Sequence, residues 1–256
     1  MKERGSDKGF SLKLEKEREF FNKFSEDTAI WWGQKTKAGI ERNIEKNKRI
    51  FKALDTKPGE YILEIGCARG DFCFWYAPLF PDVRFLVTDI SDRLIKSNKN
   101  DKRFKGFSNI TFSVLDAHNT NIDDETFDGI IGRGVLHHLK YDVALREFYR
   151  ILKPEGRLVF TEPNYNNPYV WLVFTIPFLR RLNGLSDYEM AFTRSYIEMS
   201  LNREGFKSVK VIPYDFVFPL LPSFLIKPMR ILSNFLETIP FIREFGGSLL
   251  IHAKKY

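Results

Sequence analysis

Cysteine is scarce in this chain, with two in 256 residues, Cys67 and Cys73. They offer no spaced metal-ligand set, and a bridge between them would distort the turn they flank, so they read as small reduced packing residues. No apolar run reaches the ~18 residues needed to cross a bilayer. The opening Met1-Lys-Glu-Arg-Gly5 lacks the apolar core of an export signal. These absences lead us to expect a cytoplasmic protein, free or peripheral on a membrane. The Gly-Lys-Ser/Thr ending of a phosphate-binding P-loop is missing too. What remains is a globular balance, with 43% hydrophobic residues to form the core of one elaborated α/β domain.

Tyr61-Ile-Leu-Glu-Ile-Gly-Cys-Ala-Arg-Gly-Asp-Phe72 reads as an apolar strand, a glycine-punctuated turn and a helix start. Gly66 can take positive φ, Ala68 is small enough for close backbone approach, and Gly70 lets a helix begin against a ligand. An ordinary tight strand-to-helix turn would look similar. A nicotinamide or flavin fingerprint wants a small residue at position 71, where Asp71 would face the pyrophosphate. Instead an acid, Glu64, stands two residues before Gly66. Further apolar runs follow in order: 83–89 ending in Asp89, 110–115 leading to Asp116-Ala117-His118, and 127–131 leading to Gly132-Arg-Gly-Val-Leu-His-His-Leu139. Arg150 to Pro163 then carries a turn through Glu155 and a fifth apolar run. Segments 209–217 and 248–254 read as a closing pair.

This ordered set resembles the class I S-adenosylmethionine-dependent methyltransferases, of the type found in ubiquinone and menaquinone biosynthesis. The resemblance covers 55–162 well and the closing strands more loosely. It implies a Rossmann-like, seven-stranded, mostly parallel sheet with a C-terminal antiparallel hairpin, helices on both faces and apolar cap insertions. It also implies an S-adenosylmethionine site at Glu64, Gly66, Cys67, Ala68, Gly70, Asp89, Ile90, Asp116, Ala117 and Arg133. There Asp89 would hold the ribose and Asp116 the adenine amine, while Arg133 meets the cofactor carboxylate or pairs with an acid. His137 and His138 are the candidate general bases, since neutral imidazole can take a proton near neutral pH. In similar enzymes the pair often serves the fold, and one ring is expected to turn into packing. No carboxylate follows the fourth strand, so no metal is expected.

Net charge of +7 and pI near 9.2 invite a nucleic-acid substrate. The tetrapeptide of base-amine methyltransferases is absent, however: Gly132-Arg-Gly-Val135 stands in its place, and no Pro-Cys nucleophile occurs. Arg93, Lys96, Lys99, Lys102, Arg103 and Lys105 read as a solvated face or a surface for anionic groups.

Outside the shared core, residues 1–52 form a helical tail or lid, and 53–256 the catalytic domain. Phe20, Phe21, Phe24, Trp31 and Trp32 would lie over the cofactor or simply pack their helix. Insertions at 163–193 and 213–240 are aromatic and aliphatic, which suits an apolar or extended substrate. Trp31, Trp32, Glu162, Asn164 and Tyr165 are the substrate-side candidates. Prolines at 213, 219, 222, 228 and 240 favour short helical pieces over one long helix, flanked by Lys227, Arg230 and Arg243 as in segments at a membrane interface. A dimer contact or a self-packed cap fits the same residues. The leading expectation is methyl transfer to O, N or C of an apolar or lipid-linked small molecule. A soluble sugar or secondary metabolite, with a homodimer, and a non-catalytic cofactor-binding scaffold are the alternatives.

Overall fold

The computed structural model describes residues 36–186 and 189–256, together with Glu15, Arg18 and Glu19. Phe20, Phe21, Phe24, Trp31 and Trp32 lie outside the described residues.

Helix α1 (Lys37–Leu54) starts where the Thr36 side chain accepts the Gly39 N–H, and stops where Asp55 turns left-handed at φ 50°. The expected tail boundary at residue 52 falls inside α1, whose Ile50 and Leu54 are fully buried against the sheet. The apolar runs form β1 (Tyr61–Ile65), β2 (Arg84–Asp89), β3 (Ile110–Val114), β4 (Phe127–Arg133) and β5 (Leu152–Pro163). Between them stand α2 (Asp71–Tyr76), α3 (Asp92–Asn100) and α4 (Tyr141–Ile151). Then come α5 (Pro168–Thr175), α6 (Pro177–Leu182), α7 (Arg194–Arg203), β6 (Lys207–Tyr214), α8 (Ser223–Leu236), α9 (Pro240–Arg243) and β7 (Ser248–Lys254).

The sheet order is β3-β2-β1-β4-β5-β7-β6, parallel from β3 to β5, with β7 antiparallel to both β5 and β6. The seven strands and the closing pair are those the motif order implied. Two apolar layers sandwich the sheet. One contains Leu145, Phe148, Ile197 and Leu201 of α4 and α7. The other gathers Ile50, Leu54, Phe72 and Tyr76 of α1 and α2. Each fully buried Phe or Leu contributes about 1.5–3 kcal/mol, so these layers fix the strand ends. The chain reverses direction across the sheet between β1 and β4, and at such a switch point the carboxyl ends open into a crevice.

Local details follow from residue type. Glu155, where glycine is usual, adopts φ 63° in the turn leading into β5. Pro213 is tolerated because β6 is an edge strand. The 213–240 insertion departs from expectation, since α8 continues through Pro228 for 14 residues. Proline at that point strands the Phe224 carbonyl and crowds it. Phe224 and Pro228 share the exposed face of the helix, where solvent can satisfy that carbonyl. Arg230 does not flank the insertion's surface. It is turned inward, with Nη1 3.6 Å from Asp215.

Candidate functional site

The turn after β1 is held in a strained shape by its neighbours. Gly66 and Gly70 take φ 68° and 70°, and a Cβ would come within 2.4 Å of Val135 at the first and 2.7 Å of Phe104 at the second. Ala68 sits between them at φ 47°, a region costing an L-residue about 1–2 kcal/mol. Three bonds offset that cost. Ala68 N–H donates to Asp89 Oδ2 at 2.9 Å, Asn98 Nδ2 donates to the Ala68 carbonyl at 2.9 Å, and Ser91 N–H donates to Asp89 Oδ1 at 2.9 Å. Burial raises the Asp89 pKa and these N–H groups work against it. Asp89 therefore shapes the turn through both of its oxygens.

Glu64 is buried behind the turn, and its Oε2 has no hydrogen-bond partner. Burial pushes its pKa up to about 8, with Arg133 opposing. The Arg133 guanidinium, itself held below its ordinary pKa by burial, donates to Asn47 Oδ1 at 2.7 Å and lies 5.5 Å from the Phe72 ring centre. Both residues line a cavity of about 880 Å³ together with Gly66, Cys67, Ala68, Asp89 and Ile90, a volume in the range of small-molecule sites. Gly70 stays outside this lining and serves the turn. Cys67 and Cys73 are free and buried, as expected, and burial raises both thiol pKa values.

Asp116 and Ala117 reach the same cavity from the end of β3. Asp116 Oδ1 accepts from the His118 N–H at 2.9 Å and pairs with His118 Nδ1 at 2.7 Å, while His118 Nε2 accepts from Lys140 N–H at 3.0 Å. Burial alone would raise the Asp116 pKa, but the His118 bonds outweigh it and hold it below the usual carboxylate range.

On the far wall, a 3-10 turn at Leu136–His138 follows β4. Glu162, expected to face substrate, spends its carboxylate on that turn. Oε1 accepts from Val135 and Leu136 N–H at 3.1 and 2.8 Å, and Oε2 meets His137 Nδ1 at 2.6 Å. His137 and His138 both line the cavity rather than one turning away. They sit side by side with ring centres 4.1 Å apart, and Glu189 approaches both. Asn164 and Tyr165 do not reach the cavity. Asn164 is fully buried and donates to the carbonyls of Glu244 and Gly246 at 2.9 and 2.7 Å, and Tyr165 packs in a satellite cluster with its hydroxyl 3.1 Å from Thr175. Both serve the insertions, because the chain turns sharply away once Pro163 ends β5.

Several cavity residues escaped sequence reading. Arg42 and Lys46 line the cavity from α1, and burial, helped by nearby Arg42, lowers the Lys46 pKa to about 7. Their one-turn spacing was visible, but a basic helical stripe ordinarily marks solvent. Asn98 and Glu189 carry no motif; only the fold brings them in.

A cavity floored by a glycine turn, with acids near the ends of β1, β2 and β3, defines a Rossmann-like nucleotide-cofactor domain. The family model of a methyltransferase domain matches residues 63–158. Phosphoethanolamine N-methyltransferase 3 of Arabidopsis thaliana is 33% identical over 120 residues, covering 46% of this chain and 24% of the plant protein. A demethylmenaquinone methyltransferase of Staphylococcus carnosus (strain TM300) is 29% identical over 190 residues, 67% of this chain and 78% of the bacterial one. Among solved structures, Haemonchus contortus phosphoethanolamine N-methyltransferase 2 in complex with S-adenosyl-L-methionine has the same fold, with a TM-score of 0.60 at 17% identity over 89% of this chain and 60% of that one. The chain thus spans about a quarter of the plant relative's length and about four fifths of the bacterial relative's. Over residues 63–158 it carries a methyltransferase domain of the kind found in the class I S-adenosylmethionine-dependent enzymes.

The residues present fit that cofactor. The turn from Gly66 to Ala68 lines the cavity, the free Glu64 oxygen suits an ammonium group, and Arg133 with Lys46 can take a carboxylate. Among the described residues no helix is long and apolar enough to cross a membrane.

Proposed function

We propose that the protein transfers the methyl group of S-adenosylmethionine to an apolar or lipid-linked small molecule while lying peripherally on a membrane surface. In this reading Asp89 accepts from the ribose hydroxyls, Asp116 from the adenine amine, and Glu64 from the amino-acid ammonium, with Arg133 at its carboxylate. Bound there, the cofactor supplies an already activated methyl group, so the chain's own work is alignment of the acceptor. His137 or His138 takes a proton where the acceptor carries one. Arg18 donates to the carbonyl of the cavity-lining Ile90 at 3.3 Å, which supports a contribution of Arg18 at the edge of the cofactor site.

The single observation carrying the acceptor class is the orientation of α8. Phe224, Ile231 and Phe235, at 78%, 71% and 60% exposure, form its outer stripe, while Ile226 and Ser233 face inward. Phe241, Phe178 and Trp171 extend the exposed apolar surface, and Lys227 stands beside it. That arrangement supports insertion into a lipid interface. The cavity mouth continues the theme through Tyr169, Val170, Phe216, Val217 and Phe218. The similarity to an enzyme named for demethylmenaquinone, over most of that enzyme's length, supports an apolar acceptor; the shorter phosphoethanolamine match keeps a soluble one in view.

The test is to incubate the purified chain with methyl-labelled S-adenosylmethionine and a total cell extract, then count the organic, aqueous and precipitable fractions. Label in the organic phase is expected. Label confined to the aqueous phase would replace this reading with a soluble acceptor and a second copy of the chain covering α8.

A further inference from the structure

We propose that His137, His138 and Glu189 form a site for one divalent first-row transition-metal ion of the zinc type, open toward the cavity. It is the one cluster of this kind among the described residues, with one ligand atom from each side chain and all three atoms within 4.8 Å of one another. His137 Nε2 lies 3.9 Å from Glu189 Oε2, and His138 Nδ1 lies 3.5 Å from Glu189 Oε1. An ion bound at about 2.0–2.2 Å sets neighbouring ligands roughly 3–3.6 Å apart, so the site closes by rotation of the Glu189 carboxylate, whose Oε2 faces His137 and Oε1 faces His138, together with a shift of the two rings. Two imidazoles and a carboxylate suit zinc and its neighbours rather than magnesium or calcium.

The surroundings are those a metal-binding histidine needs. Glu162 Oε2 holds His137 Nδ1 at 2.6 Å, which fixes the tautomer and presents Nε2 to the cavity, and a carboxylate behind a ligating histidine raises its basicity. Glu162 is itself immobilised by the Val135 and Leu136 N–H groups. Glu189 is placed by the backbone. Met190 N–H donates to the His137 carbonyl at 3.2 Å, and Ser186 N–H donates to Glu189 Oε1 at 2.8 Å. The end of β4 alone suggests no metal, because the carboxylate arrives from the 163–193 insertion. All three side chains line the cavity, so with the ion bound an oxygen or nitrogen of the acceptor can occupy a remaining coordination position and be oriented there, which replaces proton transfer to either histidine ring.

The full-length protein, stripped with a chelator and free of S-adenosylmethionine, is titrated with Co²⁺ and then Zn²⁺, followed by calorimetry and visible absorption. We expect one equivalent of Co²⁺ to bind with ligand-field bands that Zn²⁺ abolishes. Glu189→Gln and His138→Gln, which lie on separate segments and are each checked for an unchanged thermal midpoint, should each weaken binding at least about tenfold. His252→Ala, on β7, should leave it unchanged. Absence of saturable Co²⁺ binding, or equal affinity in wild type and in whichever of the two variants folds, would overturn the proposal and leave the cluster a histidine–glutamate ion pair. The readout is binding, so it stands apart from the choice of methyl acceptor.

Discussion

The cofactor end of the sheet and the 213–240 insertion bury opposite kinds of residue. Around β1 to β3 the core is apolar, and a few acids reach the cavity with capacity to spare, Glu64 above all. In the insertion, beside a small apolar cluster, the interior carries ion pairs: Ser233 Oγ donates to Glu237 Oε1 at 3.0 Å, Glu237 pairs with Arg49 at 2.9 Å, and Asp215 pairs with Arg42 at 2.7 Å. Phe224 and Phe235 there face outward. A domain that seals one end around a ligand and leaves aromatic rings exposed at another is built to be covered at the second. Under the proposed function the contrast separates two jobs, holding the cofactor and meeting the acceptor's environment, and each can be broken alone.

The largest expected effect is at the cofactor end. Asp89→Ala removes the bonds that shape the turn and the proposed ribose acceptor, and charged hydrogen bonds contribute about 1.5–3 kcal/mol each. S-adenosylmethionine affinity measured by calorimetry should therefore fall about 100-fold or more. Unchanged affinity would remove Asp89 from the ribose role.

Next is the polar interior of the insertion. Arg42→Ala leaves Asp215, whose side chain is 1% exposed, without its closest partner, and breaking a buried pair costs about 3 kcal/mol or more. Calorimetric Tm should drop by roughly 6–12 °C at about 2–4 °C per kcal/mol. A drop under a degree would mean that Arg230 carries Asp215 alone.

The outer stripe should respond in the opposite manner. Replacing Phe224, Ile231 and Phe235 together by Ser should leave Tm within a few degrees, because these rings bury little. Sedimentation with anionic lipid vesicles should fall at least about tenfold, as each lost aromatic or aliphatic side chain forfeits on the order of 1.5–3 kcal/mol of burial in lipid.

Glu64 gives a pH signature. The unfolded chain releases this proton near the ordinary glutamate value and the folded one near 8. Between those limits the unfolded state binds fewer protons, so wild-type stability falls as pH rises. Glu64→Gln should consequently raise the Tm of the cofactor-free protein by a few degrees at pH 8–9, and much less at pH 5. Equal gains at both pH values would contradict a raised pKa. The smallest effect is at Ala68. Ala68→Gly relieves a left-handed alanine and should stabilise by about 1 kcal/mol at most, seen as a shift in urea midpoint.

The cofactor end was legible because spacing along one strand and turn fixes geometry there: Glu64, Gly66, Ala68 and Gly70 are local, and Asp89 and Asp116 end their own strands. The acceptor side was not. Glu162 looked free until the β4 turn claimed both its oxygens. Asn164 and Tyr165 stood next to it in sequence but pack into the insertions once Pro163 turns the chain. Pro228 suggested a broken helix, because sequence does not reveal that its stranded carbonyl faces outward. Glu189 and Lys46 meet the cavity through tertiary contacts that no periodicity encodes.

The most direct test gives wild type and the Phe224, Ile231 and Phe235 triple Ser variant the same membranes and methyl-labelled S-adenosylmethionine, with cofactor affinity measured alongside. The account predicts equal affinity and a loss of most organic-phase label in the variant. Equal label in both would contradict the claim that the exposed face of α8 brings the acceptor to the site.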